Sequence, residues 1–159
     1  MKPIFFALCL LATTYNIKAQ SFKAAEVEAV DKQFDEGFLK KDINAVFRNV
    51  ANSAVFYGTD PTDVWPVAVF RKRVEKDINT NKYNLTTVSR TITPVAGGNA
   101  AVVIKQVNWP YFTKVPLREV IVYEKDNGWK LKSFSITLLL PDNIVPQLNQ
   151  LVNSPTAKK

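Results

Sequence analysis

The chain has 159 residues, 21 basic and 14 acidic side chains for a formal net charge of +7, and no histidine, one cysteine and one methionine. This length fits one domain with a single core, and a composition that is 47% hydrophobic and 22% charged is neither disordered nor membrane-filling. Without histidine there is no Ser-His-Asp or Cys-His nucleophile and no His-ligated zinc; a single cysteine removes disulfides within the chain and thiolate metal clusters.

Residues 1–19 read as an export signal. Lys2 supplies a positive start, Ile4 to Ala12 form an apolar run too short to span a bilayer, and Ile17-Lys18-Ala19 ends on a small residue before Gln20. Cleavage after Ala19 would remove Met1, Cys9, Lys2 and Lys18, leaving 19 basic and 14 acidic side chains and no thiol or thioether. Such a chain is expected to be exported, periplasmic or secreted, with no integral membrane segment. Carboxylates alone favour hard ions, and no Asp-x-Asp-x-Asp-Gly loop is present, so no metal or other cofactor is expected.

From Phe22 to Leu39 the spacing predicts a helix, with Val27, Val30, Phe34 and Phe38 inward and Lys23, Glu28, Asp31, Lys32 and Asp35 outward. Asp42 is placed to cap a second helix bearing Ile43, Val46, Phe47 and Val50. Ser53 to Tyr57 reads as a short strand and Gly58 to Asp63 as a turn cluster. Pro66 opens a third helix to about Asp77, burying Val67, Phe70 and Val74. Beyond Asn81 the period becomes alternating, with strands over Tyr83–Pro94, Ala100–Trp109, Leu117–Lys125 and Trp129–Leu140. Asp126-Asn127-Gly128 is a hairpin turn. From Pro141 to Val152, Ile144, Leu148, Leu151 and Val152 recur at the spacing of a closing helix, and a polar tail covers 153–159. Helices grouped at one end of an antiparallel sheet make an α+β domain over residues 20–152.

Tyr57-Gly58-Thr59-Asp60-Pro61 followed by Trp65 resembles the Phe-x-Gly-Thr-Asp-Pro…Trp pattern of SnoaL-like domains, members of the nuclear-transport-factor-2-like superfamily. Gly128-Trp129-Lys130-Leu131 with Phe134 is similar to their last hairpin, and the element order matches over most of residues 22 to 140. The resemblance implies a curved sheet wrapped around the N-terminal helices like a cone, in the manner of a cystatin-like roll, with a pocket between them. Relatives include ketosteroid isomerases, polyketide cyclases and dehydratases as well as non-catalytic modules, so the fold alone does not name a reaction. Pro66-Val67 stand where the pattern has a glycine, and Ser133 and Ser135 occupy the stretch where a histidine is often found.

Asp60 is the candidate general base, since an apolar pocket would raise its pKa; the alternative is that it closes its own turn before Pro61. Tyr57 or Tyr123 would offer a hydroxyl to a developing enolate. Tyr57, Trp65, Phe70, Trp109, Tyr111, Tyr123, Trp129 and Phe134 are candidates to line the pocket, against the alternative of ordinary core filling. Arg71-Lys72-Arg73 and Lys76 on the third helix, with Arg90, Lys105, Lys114 and Arg118 on and between the strands, read as a solvated basic face, and no nucleic-acid partner is expected. Three functions stay open: a binding domain for a small apolar or aromatic molecule, a cofactor-independent isomerase, cyclase or dehydratase using Asp60, and a homodimeric module paired through its sheet.

Overall fold

In a computed structural model describing residues 22–112 and 115–153, the first helix, α1 (Ala24–Leu39), buries Val27, Phe34 and Phe38 at the expected spacing. The export signal, its cleavage point, Lys114 and the tail from Ser154 lie outside the described residues. Asp31 departs from the expected pattern: it occupies the same stripe as Val27 and Phe34 and is fully buried. α2 (Ile43–Phe47) starts where Asp42 accepts a hydrogen bond from the Ala45 amide at 3.0 Å, as an N-cap should. Its Val46 sits directly over Gly37 of α1, where a Cβ would come within 2.6 Å of the Val46 nitrogen.

β1 (Val50–Tyr57) begins three residues earlier than its sequence signal and forms a hairpin with β2 (Val64–Pro66), a strand too short to read from alternation. Pro66 ends β2 and precedes α3 (Val67–Asp77), which buries Phe70 and Val74. The remaining strands are β3 (Thr86–Val95), β4 (Ala100–Asn108), β5 (Leu117–Lys125) and β6 (Trp129–Leu138), joined as consecutive antiparallel hairpins. Spatial order is β2-β1-β6-β5-β4-β3, with β1 parallel to β6. The first and last strands therefore meet in the middle of a single curved, unclosed sheet. Register shifts at Val50/Val55, Thr87/Ser89 and Val122/Tyr123 bend it around the helices.

Alternation divides the sheet into two faces. Ala101, Val103, Lys105 and Val107 of β4, with Leu117, Glu119, Ile121 and Tyr123 of β5, point to the core. Val102, Ile104, Val120 and Val122 form the opposite face, with Ile104 paired to Val120 and Val102 to Val122. The C-terminal piece contains α4 (Val145–Val152), which buries none of its residues, so it does not close the core. No helix among the described residues is long and apolar enough to cross a membrane.

Candidate functional site

Between α1, α3 and the concave face of the sheet lies a cavity of about 180 Å³. Its deep wall is aromatic: Phe34 and Phe38 from α1, Phe56 from β1, Phe70 from α3 and Phe134 from β6. Phe56 stacks on Phe70 with centroids 3.9 Å apart and planes 15° apart, and Trp65 stacks on the same Phe70 ring at 6.0 Å. The mouth is formed by Tyr57, Thr59, Asp63, Trp65, Arg73 and Lys82, with Trp109 anchored by its indole N–H donating to the Lys82 carbonyl at 2.6 Å. The Arg73 guanidinium sits 4.2 Å over the Trp65 ring. Gly58 makes this mouth possible, because a Cβ there would meet Asp63 at 2.6 Å and Trp65 at 2.8 Å. Tyr83 also lines the cavity, and burial, helped by the Asp77 carboxylate, pushes its phenol up to about 12.

Of the residues expected in the pocket, Tyr57, Trp65, Phe70, Trp109 and Phe134 line the cavity. The others are elsewhere. Tyr111 is 72% exposed, a short way from Trp109 on the surface. Trp129 is buried against Phe22 and donates to Glu26 at 3.3 Å. Tyr123 is fully buried and does not line the cavity, its hydroxyl donating to Asp31 at 3.0 Å.

Asp60 is also displaced from its expected place. It is exposed and does not line the cavity; its Oδ1 accepts from the Thr62 amide at 2.8 Å and from the Thr62 hydroxyl. Those bonds hold its carboxyl below the usual aspartate range, the opposite of what a base in an apolar pocket needs. The turn bonding expected as the alternative for Asp60 is present, an Asx turn that satisfies the carboxylate locally and leaves it in water.

Besides Asp63 at the mouth, the carboxylates that reach the cavity are Asp35 and Glu119. They belong to a buried ionic cluster. Arg90 donates to Asp31 at 2.7 Å and to Asp35 at 2.9 Å, and Lys105 lies 2.6 Å from Asp35, 2.8 Å from Glu119 and 3.5 Å from Asp31. Arg90, Lys105 and Glu119 are adjacent across β3, β4 and β5, so one row of the sheet supplies three of the charges and α1 supplies the other two. Burial pushes the Asp35 and Glu119 carboxyls up, against the pull of Lys105. Desolvation opposes the Lys105 charge, yet Glu119, Asp35 and Asp31 together raise its pKa above the ordinary lysine value. Arg90 and Lys105 are thus not part of a solvated basic face, and Asp31 and Asp35 do not face outward. Among the described residues no group of three His, Cys, Asp or Glu side chains is placed to hold a metal ion.

A signal for this cluster exists in the sequence. Lys105 stands between Val103 and Val107, and Glu119 between Leu117 and Ile121, at the parity of the buried valines and leucines. Asp31 lies four residues after Val27 and three before Phe34, on the buried stripe of α1.

No family model matches the chain, and no curated protein matches its sequence. Solved structures do match. A cystatin-like-fold domain of unknown function from Nostoc punctiforme superposes with a TM-score of 0.63 at 15% identity, covering 86% of this chain and 91% of its own. A cystatin-like-fold protein from Burkholderia xenovorans gives 0.61 at 17% identity over 74% and 92%. A candidate ketosteroid isomerase from Parabacteroides distasonis gives 0.56 at 13% identity over 72% and 86%. Others are named as nuclear-transport-factor-2-like proteins. With its helices held in the hollow of one curved six-stranded sheet, the chain has the cystatin-like, nuclear-transport-factor-2-like fold.

Proposed function

We propose that this protein is an exported SnoaL-like domain that holds a small apolar or aromatic molecule in the cavity between α1, α3 and the sheet. The observation that carries this reading is the cavity wall, where Phe34, Phe38, Phe56, Phe70 and Phe134 surround open space and Trp65 borders its mouth. An enclosed aromatic surface with few polar groups is what a small-molecule site requires. Binding is favoured over catalysis because the expected base, Asp60, is engaged in its own turn. Native mass spectrometry of protein purified from its own host tests both parts. The expected result is a chain beginning at Gln20 that retains an exchangeable small molecule, and loss of that molecule in Trp65→Ala. A full-length chain would overturn export; absence of any retained or exchangeable ligand across extracts would overturn binding.

A second reading, pairing through the sheet, is favoured by the outer face of β4 and β5. Val102, Ile104, Val120 and Val122 lie together there, with Ile104 41% exposed. Such a contiguous apolar patch on a sheet face suits a second copy of the same chain. Light scattering is expected to give a dimer mass that Ile104→Lys converts to a monomer. A wild-type monomer at micromolar concentration would remove this reading.

A further inference from the structure

The cavity has a polarity that its apolar walls conceal. Asp35 and Glu119 face it, whereas Arg90 and Lys105, the cations that accompany them, do not line it. The buried cluster consists of Asp31 and Asp35 from α1, Arg90 from β3, Lys105 from β4, and Glu119 and Tyr123 from β5, while Asp63, Arg73 and Lys82 are the charged groups at the cavity mouth. Three carboxylates thus meet two cations, so the fully ionised cluster carries one excess negative charge. Glu119 is 4% exposed, and although its Oε2 lies 2.8 Å from the Lys105 ammonium, the approach is not aligned for a hydrogen bond. That oxygen is closed off from solvent and has no hydrogen-bond donor, while Glu119 as a residue lines the cavity. Excess buried charge is costly, and either a proton or an incoming cation relieves it.

We propose that the cavity selects a ligand with an apolar or aromatic body and a protonated amine, the ammonium seated against Glu119 and Asp35. This rests on the reading of the cavity as a small-molecule site. The ring or hydrocarbon body contacts Phe34, Phe56 and Phe134, and the ammonium N–H groups donate to the carboxylate oxygens. In the empty protein one of these two carboxyls holds the extra proton, in keeping with burial pushing both upward. When the ammonium enters, that carboxyl releases its proton to the buffer, and the cluster with its bound ammonium stays neutral. Arg73 at the mouth has no carboxylate within ion-pair distance among the described residues, so a carboxylate ligand would be held the other way, with its charge outward.

Isothermal titration with phenethylamine, its neutral isostere phenethyl alcohol and the anionic hydrocinnamate separates these modes. Phenethylamine is expected to bind at least about tenfold more tightly than the alcohol, as a charge-assisted hydrogen bond implies. Its heat is expected to vary with the ionisation enthalpy of the buffer in the sense of proton release. Glu119→Gln is expected to abolish both the preference and the proton release. Asp35→Asn serves the same purpose if Glu119→Gln fails to fold by circular dichroism. Equal affinity for amine and alcohol, or tighter binding of hydrocinnamate, overturns the inference and leaves the apolar-site reading standing. Binding of none of the three overturns both.

Discussion

Asp31 shows how much one buried side chain can organise. It accepts from Arg90 at 2.7 Å and from the Tyr123 hydroxyl at 3.0 Å, and lies 3.5 Å from Lys105, with no exposed surface of its own. Removing it would leave Arg90 and Lys105 with less compensation in a medium that does not solvate them. Asp31→Ala is therefore expected to lower stability by about 3–5 kcal/mol, the cost of breaking a buried ion pair from one side. Equilibrium denaturation in urea checks this, and a loss no larger than that of an exposed pair would show that the cluster contributes little. Asp60 gives the contrasting case. Its carboxylate is satisfied by Thr62, two residues on, and does not line the cavity.

At the scale of elements, the decisive contact is the crossing of α1 and α2. Gly37 faces Val46 so closely that a Cβ would lie 2.6 Å from its nitrogen, 2.8 Å from its Cγ2 and 3.0 Å from its Cα. Two of those three atoms are backbone, so a side-chain rotation cannot make room. Gly37→Ala improves helix propensity, yet it is expected to destabilise the protein by about 1–3 kcal/mol through overpacking. Thermal unfolding followed by circular dichroism measures the sign directly; a higher Tm in the variant would mean that the helices separate freely.

At the scale of the whole molecule, the buried cluster links proton binding to folding. Burial raises the Asp35 and Glu119 carboxyls above their unfolded values. Between the ordinary carboxylate range and those raised values, the folded chain holds protons that the unfolded chain has released. Stability from these two groups is thus present at the acid end of that window and falls as pH rises through the folded pKa values. Glu119→Gln cannot ionise, so its stability relative to the wild type is expected to increase with pH across the window. Urea midpoints measured as a pH series check this; parallel curves for the two proteins would show that Glu119 ionises as readily as in water.

Read alone, the sequence determined the fold class and all the longer elements, though not the three-residue β2, because those depend on local spacing. Phe34 and Phe38 recur with the period of a helix, Val103 and Val107 with that of a strand, and Asp126-Asn127-Gly128 forms a turn whatever surrounds it. It also indicated several cavity aromatics, since Tyr57 and Trp65 flank a turn and Trp109 adjoins Pro110. What only the tertiary structure decided was which charges meet. The parallel pairing of β1 with β6 joins residues 78 to 81 positions apart, and the packing of α1 against the sheet joins Asp35 to Arg90 and Lys105, 55 and 70 positions away. A charged residue at an inward position of a strand or helix is tolerable only when such distant partners arrive, and no local pattern records their arrival. Periodicity reads a side chain's face; the choice between Asp60 and the Asp35–Glu119 pair needed the partners as well.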